Sequence, residues 1–193
     1  FFLLVIIIGF YGIRLYHNHK AKVEGGEFEV REANYTMFAI GRIVSVSFMV
    51  VVFALYFIQP NWLSWADLPF PIGLRWMGIV LGFLVLPLLM WITRTLGANF
   101  QTTLHLRRDH TLIETGPYRW VRHPMYSALI AMFVSVLLAS ANWIVGLPGL
   151  LALLLVVATR VDREEAVMIE RFGDEYRAYM QRTGRFFPRF SRG

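Results

Sequence analysis

The chain has 193 residues, 56% of them hydrophobic and 17% charged, against roughly 45–50% and about 25% in soluble domains. That balance predicts one membrane-embedded domain with little soluble mass. The absence of cysteine excludes disulfides, thiolate metal sites and cysteine nucleophiles. His17, His19, His105, His110 and His123 show no metal-ligand spacing, so no metal is expected. The net charge of +6 comes from arginines beside apolar spans, where anionic lipid headgroups rather than nucleic acid are the expected partner.

In chain order, residues 1–16 are a continuous apolar run followed by positive charge at Arg14, Lys20 and Lys22. A signal peptide carries its charge before the apolar core, so this reads as a first membrane span, short enough that further residues are expected upstream. Residues 17–36 form a polar loop broken at Gly25-Gly26. Residues 37–58 make a second span of the length a bilayer requires. Residues 59–75, with three prolines and the aromatics Trp62, Trp65 and Phe70, read as an interfacial loop. A third span covers 74–93, with Gly78, Gly82 and Pro87 allowing close packing or a kink and Gly97 ending the helix.

Residues 98–123 are polar and basic, and 124–159 are apolar for too long to be one span at 1.5 Å per residue. Ser140-Ala141-Asn142-Trp143 divides that run into two short spans, 124–140 and 143–160, as a tight helical hairpin. The last helix continues through Asp162 to Arg171 until Gly173 stops it, and 174–182 is a short amphipathic helix whose simplest role is to rest on headgroups. The fold expected is therefore all-α and polytopic, with about five transmembrane helices in a single domain. Residues 1–96 carry three spans, and 97–193 carry a site built from a cytoplasmic loop, the hairpin and the C-terminal helical tail. Of the 19 lysines and arginines, Arg75 alone falls on the side of the 59–73 and 140–143 loops. The positive-inside rule then puts the N-terminus outside, and the C-terminus and the site in the cytoplasm.

Chemistry concentrates in two places. Residues 116–126 hold two prolines, two tyrosines, a histidine and two arginines at a junction between polar and apolar chain. Within them, His123 before Pro124 is expected at the N-cap of the fourth span, beside free N–H groups and a dipole that attract anions. Tyr118, Tyr126 and the Gly116-Pro117 turn favour a shaped pocket over a plain helix start. On the fifth span Arg160 and Glu164 are four apart and share one helix face. The hairpin returns them beside His123, and an acid and a base at membrane depth usually face a cavity. His105 and His110 read as ordinary loop histidines, and Leu112 and Ile113 suit the floor of a pocket for a flat group. With neither a dinucleotide fingerprint nor a phosphate loop, these residues reach a cytoplasm-facing site for a small, partly anionic ligand and do not name a reaction.

Gly97-Ala-Asn-Phe100, His110-Thr-Leu-Ile113, Thr115-Gly-Pro-Tyr118, Arg122-His-Pro-Met-Tyr126, Glu164-Glu165 and Phe172-Gly-Asp-Glu-Tyr176 form a pattern over the C-terminal half. It resembles the isoprenylcysteine carboxyl methyltransferase family and its phospholipid methyltransferase relatives. The resemblance implies S-adenosylmethionine as cofactor, held at His105, His110, Thr111, Leu112, Ile113, Tyr118, His123, Pro124, Met125, Tyr126 and Glu164. It implies that Arg160 holds the substrate carboxylate, making Arg160 and Glu164 the catalytic pair. The partner implied is a prenylated cysteine or a similar lipid-linked acid entering from the bilayer. At His105 eukaryotic members carry glutamine, and the 105–110 loop is shorter here.

Methyl transfer from a sulfonium to a carboxylate requires alignment and desolvation, and no general base. Three rivals stand beside this expectation. A phospholipid amine N-methyltransferase would use a carboxylate where Arg160 stands, a sterol-type membrane reductase would use NADPH, and a membrane scaffold would bind neither cofactor.

Overall fold

The computed structural model describes residues 1–23, 35–97 and 111–189, with side chains except at residues 14, 17–23 and 35–46. The break expected at Gly25-Gly26, together with His105 and His110, lies outside the described residues. Among those described, every regular element is helical: α1 (Phe2–Val23), α2 (Tyr35–Ile58), α3 (Ile72–Leu96), α4 (Pro124–Ser140), α5 (Trp143–Phe172) and α6 (Asp174–Arg182). Short 3-10 turns cover Pro60–Ala66 and Gly116–Arg119. Two isolated bridges, Asp67 with Asn142 and Val121 with Gly184, are the β-type pairings recorded.

The helices lie where the apolar runs predict, with two differences. α1 continues seven residues beyond the apolar run ending at Tyr16, to Val23, because no glycine or proline interrupts the chain there. The 59–75 loop is not irregular throughout, since its Pro60–Ala66 turn leaves α2 at 109°. That turn leaves Trp62 and Trp65 exposed, as suits rings at a membrane boundary. Among the described residues α3 and α5 are each long and apolar enough to cross a bilayer, while the α2 segment Ser47–Ile58 and the bent Pro60–Ala66 turn reach that length only when taken together. The α1 segment Phe2–Ile13 and α4 are shorter apolar helices. The chain is thus an all-helical membrane protein in its described residues.

Small residues set the packing that carries the site. A Cβ on Gly78 would lie 2.6 Å from the Ala139 backbone nitrogen, and one on Gly82 would lie 2.6 Å from Ser135 Oγ. α3 and α4 therefore touch along a small-residue seam. One core cluster joins Ile6, Phe10, Val85, Leu89, Ile92, Tyr118, Leu129 and Met132 below the 116–126 turn. A second, with Leu3, Met49, Phe53, Leu63, Val136 and Val145, lies toward the hairpin turn.

α4 ends at Ala141, whose φ of 49° is left-handed, and α5 starts from Asn142 as its side chain accepts from Val145 N–H. The hairpin is as tight as the sequence predicts, and its geometry returns the polar end of α5 to the start of α4. Gly173, at φ 55°, ends α5. α6 then buries Tyr176 and Tyr179, so the apolar side of this amphipathic helix is turned onto the protein rather than onto headgroups.

Candidate functional site

α5 leaves its apolar stretch with Arg160, Glu164 and Glu165 pointing toward the first turn of α4. The expected i,i+4 contact is present: Arg160 Nε donates to Glu164 Oε1 at 2.7 Å. The same oxygen accepts from the Tyr126 hydroxyl at 2.8 Å, and Glu164 Oε2 faces His123 Nδ1 at 3.7 Å. Arg160 and Glu164 are partly buried, their side chains 24% and 22% exposed. A carboxylate held by a guanidinium and a phenol from two helices has a fixed orientation. Four residues singled out from the sequence, His123, Tyr126, Arg160 and Glu164, therefore meet in one place.

His123 requires a correction. Its backbone stands at the N-cap of α4, but its side chain makes no cap hydrogen bond. The imidazole turns instead to α5, where Nε2 lies 3.1 Å from Glu165 Oε1. Two carboxylates outcompete neutral amide N–H groups for a ring nitrogen, and Pro124, at the first helical position, has no N–H to offer. Positioning by this histidine therefore runs through the acids of α5 and not through the helix end.

The remaining candidates occupy different depths. Tyr118 is buried in the core cluster below, and its carbonyl accepts from the Tyr179 hydroxyl at 2.6 Å. Burial, reinforced by Tyr179 and Glu164, pushes its phenol well above the ordinary range, so it stays protonated. Ile113 and Met125 pack against the same cluster as half-buried apolar surface. Pro124 is buried, Leu112 half-buried and Thr111 exposed.

The sequence reading missed Glu165, Arg122 and Arg185. Glu165 accepts from Arg122 Nε at 3.0 Å and lies 3.1 Å from Arg185 Nη2. Arg122 also donates through Nη1 to the carbonyls of Thr183 at 2.6 Å and Met180 at 3.1 Å. Arg185 also pairs with Asp162. The Glu-Glu and Arg-His-Pro motifs contain the first two residues, but a 43-residue separation conceals the pair.

Burial by itself would raise the Glu165 carboxyl. Hydrogen bonds from His123 and Arg122, with their charges, outweigh it and hold the group at about 2. A carboxylate depressed from its ordinary 4.5 contributes stability above that value and loses it as pH falls toward 2. Thermal unfolding in detergent should therefore show Glu165→Gln less stable than the parent at pH 6, with the difference shrinking at pH 3. A constant difference would contradict this electrostatic account.

Residues 77–170 match the model of the isoprenylcysteine carboxyl methyltransferase (ICMT) family. The human protein-S-isoprenylcysteine O-methyltransferase is 30% identical over 96 residues, 49% of this chain and 34% of that protein. The Dictyostelium discoideum protein of the same name is 31% identical over 127 residues, 61% of this chain and 52% of that protein. The matched stretch thus spans about a third of the human relative and half of the Dictyostelium one. A solved structure of the eukaryotic intramembrane Ras methyltransferase ICMT has the same fold, with a TM-score of 0.59 at 21% identity over 97% of this chain and 68% of that one. Residues 77–170, which include the whole Arg160–Glu164–Tyr126–His123 constellation, are thus similar to the isoprenylcysteine carboxyl methyltransferase family.

Proposed function

We propose that the protein is an integral-membrane methyltransferase that uses S-adenosylmethionine to methylate the carboxylate of a prenylated cysteine or a similar lipid-linked acid. The observation that carries this reading is the pairing of Arg160 with Glu164 at the polar end of α5, closed from α4 by Tyr126 and His123. It is supported by the family-model match over residues 77–170, which contain these side chains, and by relatives named as isoprenylcysteine O-methyltransferases.

The residues present fit such a donor. Glu164, partly exposed, suits its ammonium or ribose hydroxyls, while Ile113 and Met125 offer apolar surface to a purine. In this reading Glu164, Thr111, Leu112, Ile113, Tyr118, His123, Pro124, Met125 and Tyr126 hold the donor, with His105 and His110 from the adjoining segment. When bound, the donor supplies a methyl group carried on a sulfonium.

The chain's own task is alignment. A carboxylate is already a nucleophile, so no side chain has to remove a proton. Arg160, its plane fixed by the Nε contact to Glu164, orients the substrate carboxylate in a fork geometry. Holding both reactants in line accounts for a large share of the barrier. Among the described residues no group of three or more histidines, aspartates or glutamates is placed to hold a metal, and the reaction requires none.

In the membrane, α1 to α5 make five crossings, with the N-terminus outside and the site facing the cytoplasm. The reading places the lipid tail between helices and brings the polar donor from the water side. Separate calorimetric titrations with S-adenosylhomocysteine and with NADPH in detergent test the reading. Binding of S-adenosylhomocysteine alone is expected. Binding of NADPH alone would establish the reductase class instead, and binding of neither would favour a scaffold.

A further inference from the structure

Glu165 has no task in the reaction outlined above, yet among the described residues it is one of the most heavily engaged groups. Only 7% of it is exposed, and it faces a histidine and two arginines from two chain segments outside α5. A buried carboxylate is costly unless each oxygen is satisfied, so an arrangement this complete fixes the groups around it.

Glu164 and Glu165 are adjacent on α5 and diverge by about 100° round the helix. The His123 ring occupies the angle between them. Its Nε2 makes a hydrogen bond to Glu165 at 3.1 Å, while its Nδ1 stands 3.7 Å from Glu164 Oε2, beyond hydrogen-bond length. Glu165 therefore draws the imidazole to its own side. Glu164 Oε1 already accepts from Arg160 and Tyr126, so Oε2 is the edge at which a further donor group would bind.

The C-terminal segment holds the ring in this pose. Arg122 N–H donates to the Gly184 carbonyl at 2.8 Å, Gly184 N–H to Trp120 at 3.1 Å and His123 N–H to Arg185 at 3.0 Å. Ser127 Oγ donates to the Phe186 carbonyl at 2.6 Å, and the Phe186 ring lies 5.9 Å from the imidazole. A Cβ at residue 184 would collide with the Phe187 carbonyl, so the glycine lets this strap fold tightly enough to reach. Through Arg185 and Arg122, Glu165 ties the strap to α5.

We propose that Glu165 is a positioning residue of the methyl-donor site, holding His123 and the 183–186 strap so that the Oε2 edge of Glu164 stays open to the donor. The proposal rests on the donor reading of the preceding section. Without an ionised Glu165, the imidazole swings onto Glu164 Oε2 and occupies the edge the donor needs.

The test is calorimetric titration of full-length protein with S-adenosylhomocysteine. Glu165→Gln is expected to weaken binding about tenfold, and adding His123→Asn should cost nothing more and regain part of that loss, because it removes the ring that would cover Glu164 Oε2. Asp162→Asn, which removes the other partner of Arg185, should leave affinity within about twofold. With saturating donor, the kcat of Glu165→Gln should stay within about threefold while KM for the donor rises. Wild-type affinity in Glu165→Gln, independent multiplying losses in the double variant, or an equal loss in Asp162→Asn would overturn the proposal. Where Glu165→Gln does not fold, Glu165→Asp keeps the charge but falls short of the ring, and unchanged affinity there overturns it equally. A parent protein that binds no S-adenosylhomocysteine removes the donor reading and this proposal together. A parent that binds normally beside an unaffected Glu165→Gln removes the proposal alone.

Discussion

Arg160→Ala is expected to lower kcat/KM for methylation of a farnesyl-cysteine analogue by about 100-fold or more, the scale on which lost alignment of reactants is felt. The affinity for S-adenosylhomocysteine should fall by less than about fivefold, within the range of one surface-type ion pair. The asymmetry follows from the contacts. Glu164 keeps its hydrogen bond from Tyr126 and its neighbour His123 when Arg160 is gone, so the donor side of the site retains its shape. The substrate carboxylate has no such reserve, because in this reading the guanidinium is what turns it toward the donor. Arg160→Lys should recover little, since an ammonium is a point charge without the planar fork. Parallel kinetics and calorimetry check both halves. Equal losses in turnover and donor affinity would show that Arg160 serves Glu164 rather than the substrate.

Asn142→Leu should be the most damaging substitution far from the site. Asn142 is fully buried, donates to the Leu63 carbonyl and to Asp67 Oδ1, each at 2.8 Å, and accepts from Val145 N–H at 3.3 Å. Its side chain starts α5 and ties the hairpin turn to the Pro60–Ala66 turn and the residues just after it, where Leu68 N–H also donates to the Ala141 carbonyl at 2.6 Å. Leucine keeps the branched shape but is bulkier and cannot hydrogen-bond, so the Leu63 carbonyl and the Val145 N–H, both on buried residues, lose their partner. Losing the cap and stranding those groups should cost about 3 kcal/mol, read as an earlier unfolding transition in detergent. Arg160 lies 18 residues further along α5, roughly 27 Å at the helical rise. S-adenosylhomocysteine affinity of the folded fraction should therefore be unchanged. An unaltered transition would refute this role, and a selective loss of affinity would mean that the two ends of α5 are coupled.

The sequence discloses what is local. Apolar run lengths give the five long helices, and Gly97 and Gly173 end theirs at positive φ. The polar Ser140-Ala141-Asn142 interruption gives the hairpin turn. Arg160 and Glu164 are readable as a pair because four residues along a helix is one turn. The hairpin then brings them to His123 and Tyr126 without further information. Contacts between distant segments leave no such trace. Glu165 looks like a repeat of Glu164, and Arg122 like flanking positive charge, until the 183–186 strap folds back and closes on both. The inward face of α6 is hidden for the same reason. Its two tyrosines suit a headgroup surface as well as a protein one, and the choice is made by Tyr118 presenting a carbonyl to Tyr179. The imidazole of His123 is legible in place but not in direction, since the N-cap position fixes its backbone and the acids of α5 fix its ring.

The central claim is transfer of a methyl group to a carboxylate, and the bond formed distinguishes it from its nearest rival. Purified protein in lipid or detergent is incubated with methyl-labelled S-adenosylmethionine and an N-acylated S-farnesylcysteine, and the product is treated with mild base. The account predicts label on the farnesylcysteine that base releases as methanol, as an ester requires, and that disappears in Arg160→Ala. Label that resists base and accumulates instead on an amine headgroup of added phospholipid would contradict it.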